Sequence, residues 1–154
     1  MSHQTLIKDY VSDALRTNIL AVLATEGDGP PHACLIAITP MDGLLDLIFA
    51  TYRDTRKYNN LINNGKLAIL FDNICTKRLS QPDINVLTAF GYAKEVDIAI
   101  SVAALQTHLL RHPELESFLL SIDCAIFQVK VDTYQLVQGI DDIRWWTSDD
   151  LETN

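Results

Sequence analysis

The residues best equipped for chemistry are packed into one stretch, LDLIFATYRDTRKYNNL, from Leu45 to Leu61. Its composition predicts a strand that runs straight into a helix, and the first turn of that helix carries Arg53, Thr55, Arg56 and Lys57. A phosphate fits such a place. The first amides of a helix lack intrahelical partners, the helix dipole is positive there, and hydroxyls and cations donate to phosphate oxygens. Thr51 and Thr55 supply the hydroxyls, while Asp54 is placed to cap the helix itself and compete with a bound anion. A solvated helix start with ordinary surface charges is the plainer reading of the same residues.

Other groups carry less. His108 and His112 stand four apart on a predicted helix and could turn one face toward a metal ion, but no third ligand is evident beyond Glu114 or Glu116. They are assigned a structural or exposed role, and no metal site is assigned. Cys34, Cys75 and Cys124 are odd in number and form no CxxC pair, which predicts reduced, buried and inert thiols. Cys75 has Lys77 and Arg78 nearby, which would matter only if that thiol were exposed. Trp145 and Trp146 either stack on a planar ligand across a subunit interface or pin the C-terminal segment onto the body of the protein.

The elements that must position these groups follow from periodicity. Leu6, Tyr10, Ala14 and Leu15 predict an opening amphipathic helix. Ile19 to Thr25 reads as a strand covered on both sides, EGDGPP as a turn, His32 to Thr39 as the return strand and Leu44 to Ala50 as a third. The helix after Thr51 shows Tyr58, Leu61 and Ile62 on one face, and Lys66 to Phe71 is again a strand. Asp72 to Asp83 is a long polar loop. Val86 to Val96 is a strand with Gly91 inside it as a bulge or close approach. Ile98, Val102, Leu105, Leu109 and Leu110 mark a helix stopped by Pro113, and Leu115, Phe118 and Leu119 a short further one. Ala125 to Val131 and Tyr134 to Val137 are strand-like, and the tail after Gly139 is acidic. The sum is a single domain over 1–154, mainly β with peripheral helices, built as a closed or nearly closed antiparallel barrel.

Composition narrows the function. A chain of 154 residues with 48% hydrophobic content buries its own core. The formal charge of −8 disfavours nucleic acid as a partner. The longest apolar run, Ile19 to Ala24, is far too short to span a membrane, and the N-terminus resembles no signal peptide, so a soluble cytoplasmic protein is expected.

The run from Ile19 to Phe71 resembles the first half of the pyridoxamine 5'-phosphate oxidase-related FMN-binding split barrels. An apolar strand, an Asp-Gly turn and a return strand lead to a strand ending in Phe-x-Thr and then [Ser/Thr]-Arg-Lys, here Phe49, Thr51, Thr55, Arg56 and Lys57. Gly91 in FGYAKEV is similar to the family's Gly-x-Ala, and ELESFLL with IFQVKVDTYQLV resembles its closing helix and strand. The resemblance implies a six-stranded antiparallel split β-barrel, a homodimer, and FMN held by its phosphate at Thr51, Thr55, Arg56 and Lys57. It implies that the flavin lies against the second strand near Cys34, Leu35 and Ile36, with Trp145 a further contact. Two departures stand out. The family's Arg-x-His substrate motif is replaced by Arg144, Trp145 and Trp146, and the basic residue opening its second strand is missing near His32. Both argue against oxidation of pyridoxamine phosphate itself. The expectation is an FMN-dependent oxidoreductase acting on a small-molecule redox substrate, with a reduced nicotinamide as a candidate donor. The alternatives are a non-catalytic flavin-binding or stress-related protein, or a deazaflavin or haem binder.

Overall fold

The structure is a computed structural model that describes residues 3–72, 85–139 and 141–152. Helix α1 (His3–Thr17) leads into strand β1 (Leu20–Thr25), which a tight turn joins to β2 (His32–Ala37). After Ile38 the chain continues as the short β3 (Thr39–Pro40), then turns at Gly43 into β4 (Asp46–Tyr52) and α2 (Arg56–Asn63). Strands β5 (Lys66–Asp72) and β6 (Asn85–Glu95) follow, then α3 (Ile98–Arg111), a 3-10 turn at Pro113–Leu115 and α4 (Glu116–Leu119). The chain closes with β7 (Cys124–Gln138), β8 (Asp142–Thr147) and α5 (Ser148–Glu152).

All strand pairings are antiparallel, in the order β2-β1-β5-β6-β7-β4-β3. Because β3 continues β2 through a single residue, this path returns to its start. The segment 32–40 acts as one bent strand that pairs with β1 through its first part and with β4 through its last, and six strands form the barrel. The Ile38 amide still donates to the Ile19 carbonyl at 3.1 Å before the chain changes partner. β8 adds to the far half of β7, beyond the stretch that pairs with β4.

The barrel interior is filled by alternate strand residues such as Leu23, Leu47, Ile69 and Val129, with Phe49 stacked on Phe127 at 5.4 Å between ring centres. Large apolar side chains of this kind contribute about 1.5–3 kcal/mol each on burial. Gly91 sits where the β6–β7 register shifts, and a Cβ there would lie 2.1 Å from the Lys130 carbonyl oxygen. The close approach read from the sequence is real, and only glycine permits it.

Several expectations need correction. β1 is covered on one side only: Ala21, Leu23 and Thr25 are buried while Leu20 is 51% exposed. β4 begins two residues later than expected and ends two later, because Leu44 and Leu45 belong to the turn that Gly43 makes with φ +85°. The strand pieces before and after Asp132 are one continuous β7. The acidic tail forms a strand and a helix, with Leu151 buried and Trp146 packed on the core. α1 buries Ile7, Val11, Ala14 and Leu15. The central loop expected to hold Cys75, Lys77 and Arg78 lies outside the described residues. No helix among the described residues is long and apolar enough to cross a membrane.

Candidate functional site

The end of β4 and the start of α2 form one wall of a cavity of about 270 Å³. Thr51, the last inward residue of β4, is buried, and its Oγ1 lies 2.9 Å from Thr55 Oγ1. Thr55 is the N-cap of α2: its backbone is extended, its hydroxyl donates to the Tyr52 carbonyl at 2.8 Å and accepts the Tyr58 amide at 3.4 Å. The Asn59 amide goes to the Thr55 carbonyl. The amides of Arg56 and Lys57 are thereby left as the open donors of the helix start. The cap is Thr55 and not Asp54, so no carboxylate occupies the N-terminus.

The three cations separate. Lys57 lines the cavity and makes no hydrogen bond or ion pair among the described residues. Arg56 stays exposed and donates to the Pro30 carbonyl at 3.1 Å, reaching over the β1–β2 turn. Arg53 is turned away. It forms an ion pair with Glu95 at 2.6 Å and donates to the carbonyls of Ile122 and Cys124, tying the end of β4 to β6 and β7. Glu95 also accepts the Tyr58 hydroxyl at 3.0 Å, which holds the first turn of α2 in place.

Apart from His108 and Tyr52, the rest of the described lining is apolar. Leu35, Ile36 and Ala37 of β2 form one side, and Leu115 and Phe118 the other, with Phe118 edge-on to Tyr52 at 4.7 Å. No carboxylate among the described residues lines it. One hydroxyl pair, one free ammonium and two open amides at one end of an apolar slot suit a ligand with an anionic tail and a flat apolar body.

A family model described as pyridoxamine 5'-phosphate oxidase matches residues 7–120. The chain belongs to the pyridoxamine 5'-phosphate oxidase family. No curated protein matches the sequence. Among solved structures, a Clostridium acetobutylicum protein of the pyridoxinephosphate oxidase family, related to general stress protein 26, superposes with a TM-score of 0.75 at 15% identity, covering 98% of this chain and 99% of that one. A heme binding protein from Mycobacterium smegmatis gives 0.74 at 19% identity over 92% of this chain and 59% of that chain. HutZ, the heme storage protein of Vibrio cholerae, gives 0.70 at 15% over 91% and 93%. These likenesses show the split-barrel fold.

Within the family frame, the structure brings Thr51, Thr55, Lys57, Leu35 and Ile36 to one cavity. Arg56 and Cys34 lie beside it without lining it. Cys34 points into the barrel with its Sγ 3.9 Å from the Leu23 carbonyl oxygen. Burial pushes its thiol pKa up, partly offset by the Lys57 charge. Cys124 is likewise half-buried, and burial lifts it to about 11, so both described thiols are protonated and unreactive at neutral pH. Trp145 is not part of this cavity; it is 56% exposed and stacks on Phe90 at 5.6 Å.

One residue that bears on the site carried no such assignment in the sequence reading. His108, 1% exposed, borders the cavity and bonds Thr39 Oγ1 at 2.7 Å. His112 is fully buried and donates through Nε2 to the Ile38 carbonyl at 3.0 Å. Neither is exposed. The apolar stripe of α3 concealed them, since Val102 and Leu110 are 54% and 84% exposed while Ala104 is buried. The signal that could have found them is the spacing of Ala104, His108 and His112, one residue per turn on one face.

Proposed function

We propose that this chain binds FMN in the cavity between β2, β4 and α2, and works as a homodimeric, cytoplasmic FMN-dependent oxidoreductase of unassigned substrate. The observation that carries the reading is the free Lys57 ammonium beside the open amides of Arg56 and Lys57, at the mouth of an apolar slot. Lys57 and those amides would hold the phosphate, with Arg56 adding charge from the side. The hydroxyls of Thr51 and Thr55 are engaged with each other and with the Tyr52 carbonyl, so they shape the cradle and would donate to phosphate only by exchanging those bonds. Bound FMN supplies two-electron redox chemistry. The chain contributes placement along β2, exclusion of water by Leu115 and Phe118, and a positive field at the phosphate end.

A second copy of the chain fits the same reading. A single chain leaves the cavity near the small end of ligand pockets, which run roughly 300–1,000 Å³. The outer faces of β1 and β2 carry Leu20 and Leu35 exposed beside it. A sequence that writes β1 as if covered on both sides, and a chain that covers one, argue for a partner on the other.

The test is absorption spectroscopy on the purified protein after incubation with FMN and gel filtration. The expected result is retained flavin absorption, with Lys57→Ala weakening FMN by about 10- to 100-fold for one charge-assisted phosphate bond of roughly 1.5–3 kcal/mol. Steady oxidation of a reduced nicotinamide would mark an enzyme, and its absence with flavin retained a carrier. Haem is the competing reading, favoured by the uncharged His108 at the cavity wall. A colourless protein in excess FMN that instead retains ferric protoporphyrin would replace the flavin proposal with that one.

A further inference from the structure

α3 delivers to the same cavity a polar group that phosphate binding does not use. His108 is almost wholly buried, its Nδ1 is engaged by Thr39 Oγ1, and its Nε2 has no hydrogen-bond partner among the described residues. Among the described residues, the buried side-chain nitrogens that lack a partner are His32 Nδ1, Arg111 Nε and His112 Nδ1; His108 Nε2 is not one of them and is left open at the cavity its ring borders. The groups that face the ring leave that nitrogen open. His112 stacks obliquely at 4.7 Å and spends its own Nε2 on the Ile38 carbonyl, and the Arg111 guanidinium is turned to the carbonyls at the end of α1. Thr39 is the contact from the sheet. Burial, then the charges of His112 and Arg111, push the His108 pKa down to about 4, so the ring is neutral near pH 7.

Position along the barrel says what would complete it. Thr39 pairs with Ile48 on β4, and from there the outer face of the strand runs through Ala50 to Tyr52, whose carbonyl accepts the Thr55 hydroxyl at the phosphate end. That run is about 13 Å along a strand. It is the scale of a ribityl chain with its phosphate at one end and the flavin ring at the other. Apart from His108, the polar residues lining the cavity among those described are Thr51, Tyr52, Thr55 and Lys57, all at the β4–α2 end, so this chain's described residues offer an edge of carbonyls and ring nitrogens no other side-chain partner away from that end.

We propose that His108, through Nε2, is the side-chain hydrogen-bond partner of the ring system of bound FMN, and so a positioning residue for the cofactor. This rests on the FMN reading above. Either neutral tautomer serves: with the proton on Nδ1, given to Thr39, Nε2 accepts from a ring N–H, and with the Thr39 hydroxyl donating to Nδ1, Nε2–H donates to a ring carbonyl.

The experiment is nitrogen NMR of protein labelled with ¹⁵N-histidine, titrated with FMN, with His108→Gln used to assign the signals. The expected result is a shift of the His108 Nε2 resonance on binding, with those of His32 and His112 unmoved. His108→Leu is expected to bind FMN about tenfold more weakly, the equivalent of one lost hydrogen bond. Unmoved Nε2 with FMN demonstrably bound overturns the inference and leaves the flavin reading intact. Failure of the wild-type protein to bind FMN removes both. Loss of the signal to paramagnetic broadening on adding ferric protoporphyrin, with no response to FMN, makes His108 an iron ligand and overturns the proposal. If His108→Leu does not fold, the titration of the wild-type protein still decides.

Discussion

His108 also has a measurable consequence for stability. Its folded-state pKa of about 4 lies below the ordinary histidine value of 6.5, so the unfolded chain takes up a proton that the folded chain refuses. The stability this group contributes is therefore fully present above pH 6.5 and is lost as pH falls from there to about 4. The depression corresponds to roughly 3 kcal/mol at most. Denaturant titrations of the apoprotein at pH 7 and pH 4.5 should show that loss, and His108→Gln should flatten much of it. An equal slope in the variant would place the acid sensitivity elsewhere. Residue types told only part of this. Thr51, Thr55 and Lys57 were legible because motif residues on a strand end and a helix start have few ways to face. Arg53 was counted only as one of the cations at the helix start, and nothing local announces that Glu95, 42 positions on, will claim it.

Elements were more legible than boundaries. β1 and β5 were read to within a residue and β2 to within two because apolar runs alternate there with strong turn chemistry, whereas α2 starts only at Arg56, after the Arg53 expected in its first turn. α3 was found but its buried face was not, because a helix lying on the outside of a barrel meets its neighbours with Ala104 and two histidines, and leaves Val102 and Leu110 exposed. β8 was missed because a strand added at an edge needs only one buried residue in two, and Asp142, Arg144 and Thr147 gave no alternation to read. The glycine in β6 was legible for a physical reason: a lone glycine in an otherwise branched and aromatic strand marks a backbone approach. Gly91→Ala should cost on the order of 2–4 kcal/mol, since the new methyl meets backbone that belongs to the longest ladder in the barrel. Thermal or denaturant unfolding checks this. A change below about 0.5 kcal/mol would mean that β7 yields at Lys130 without cost, within the range of ordinary surface substitutions.

At the scale of the molecule, the split barrel is a ring that one chain can close but whose outer face it leaves bare beside the candidate cavity. The proposed dimer makes a sharp prediction at Val22, which lies on that outer face between Leu35 and Leu70 and does not line the cavity. Val22→Glu should give a folded monomer by light scattering, with FMN affinity reduced tenfold or more even though every cavity residue is unchanged. A dimer with undiminished affinity would put the interface elsewhere.

The barrel closes through the bend at Ile38, where the strand leaves β1 and joins β4. The Ile38 carbonyl at that bend is held by His112, and the next residue by His108, so α3 works as a clasp on the seam of the ring. Opening there would break the fewest ladder bonds and would widen the slot between β2 and β4. The ligand proposed at His108 would bear on that clasp, so occupancy of the cavity and integrity of the ring would become one equilibrium.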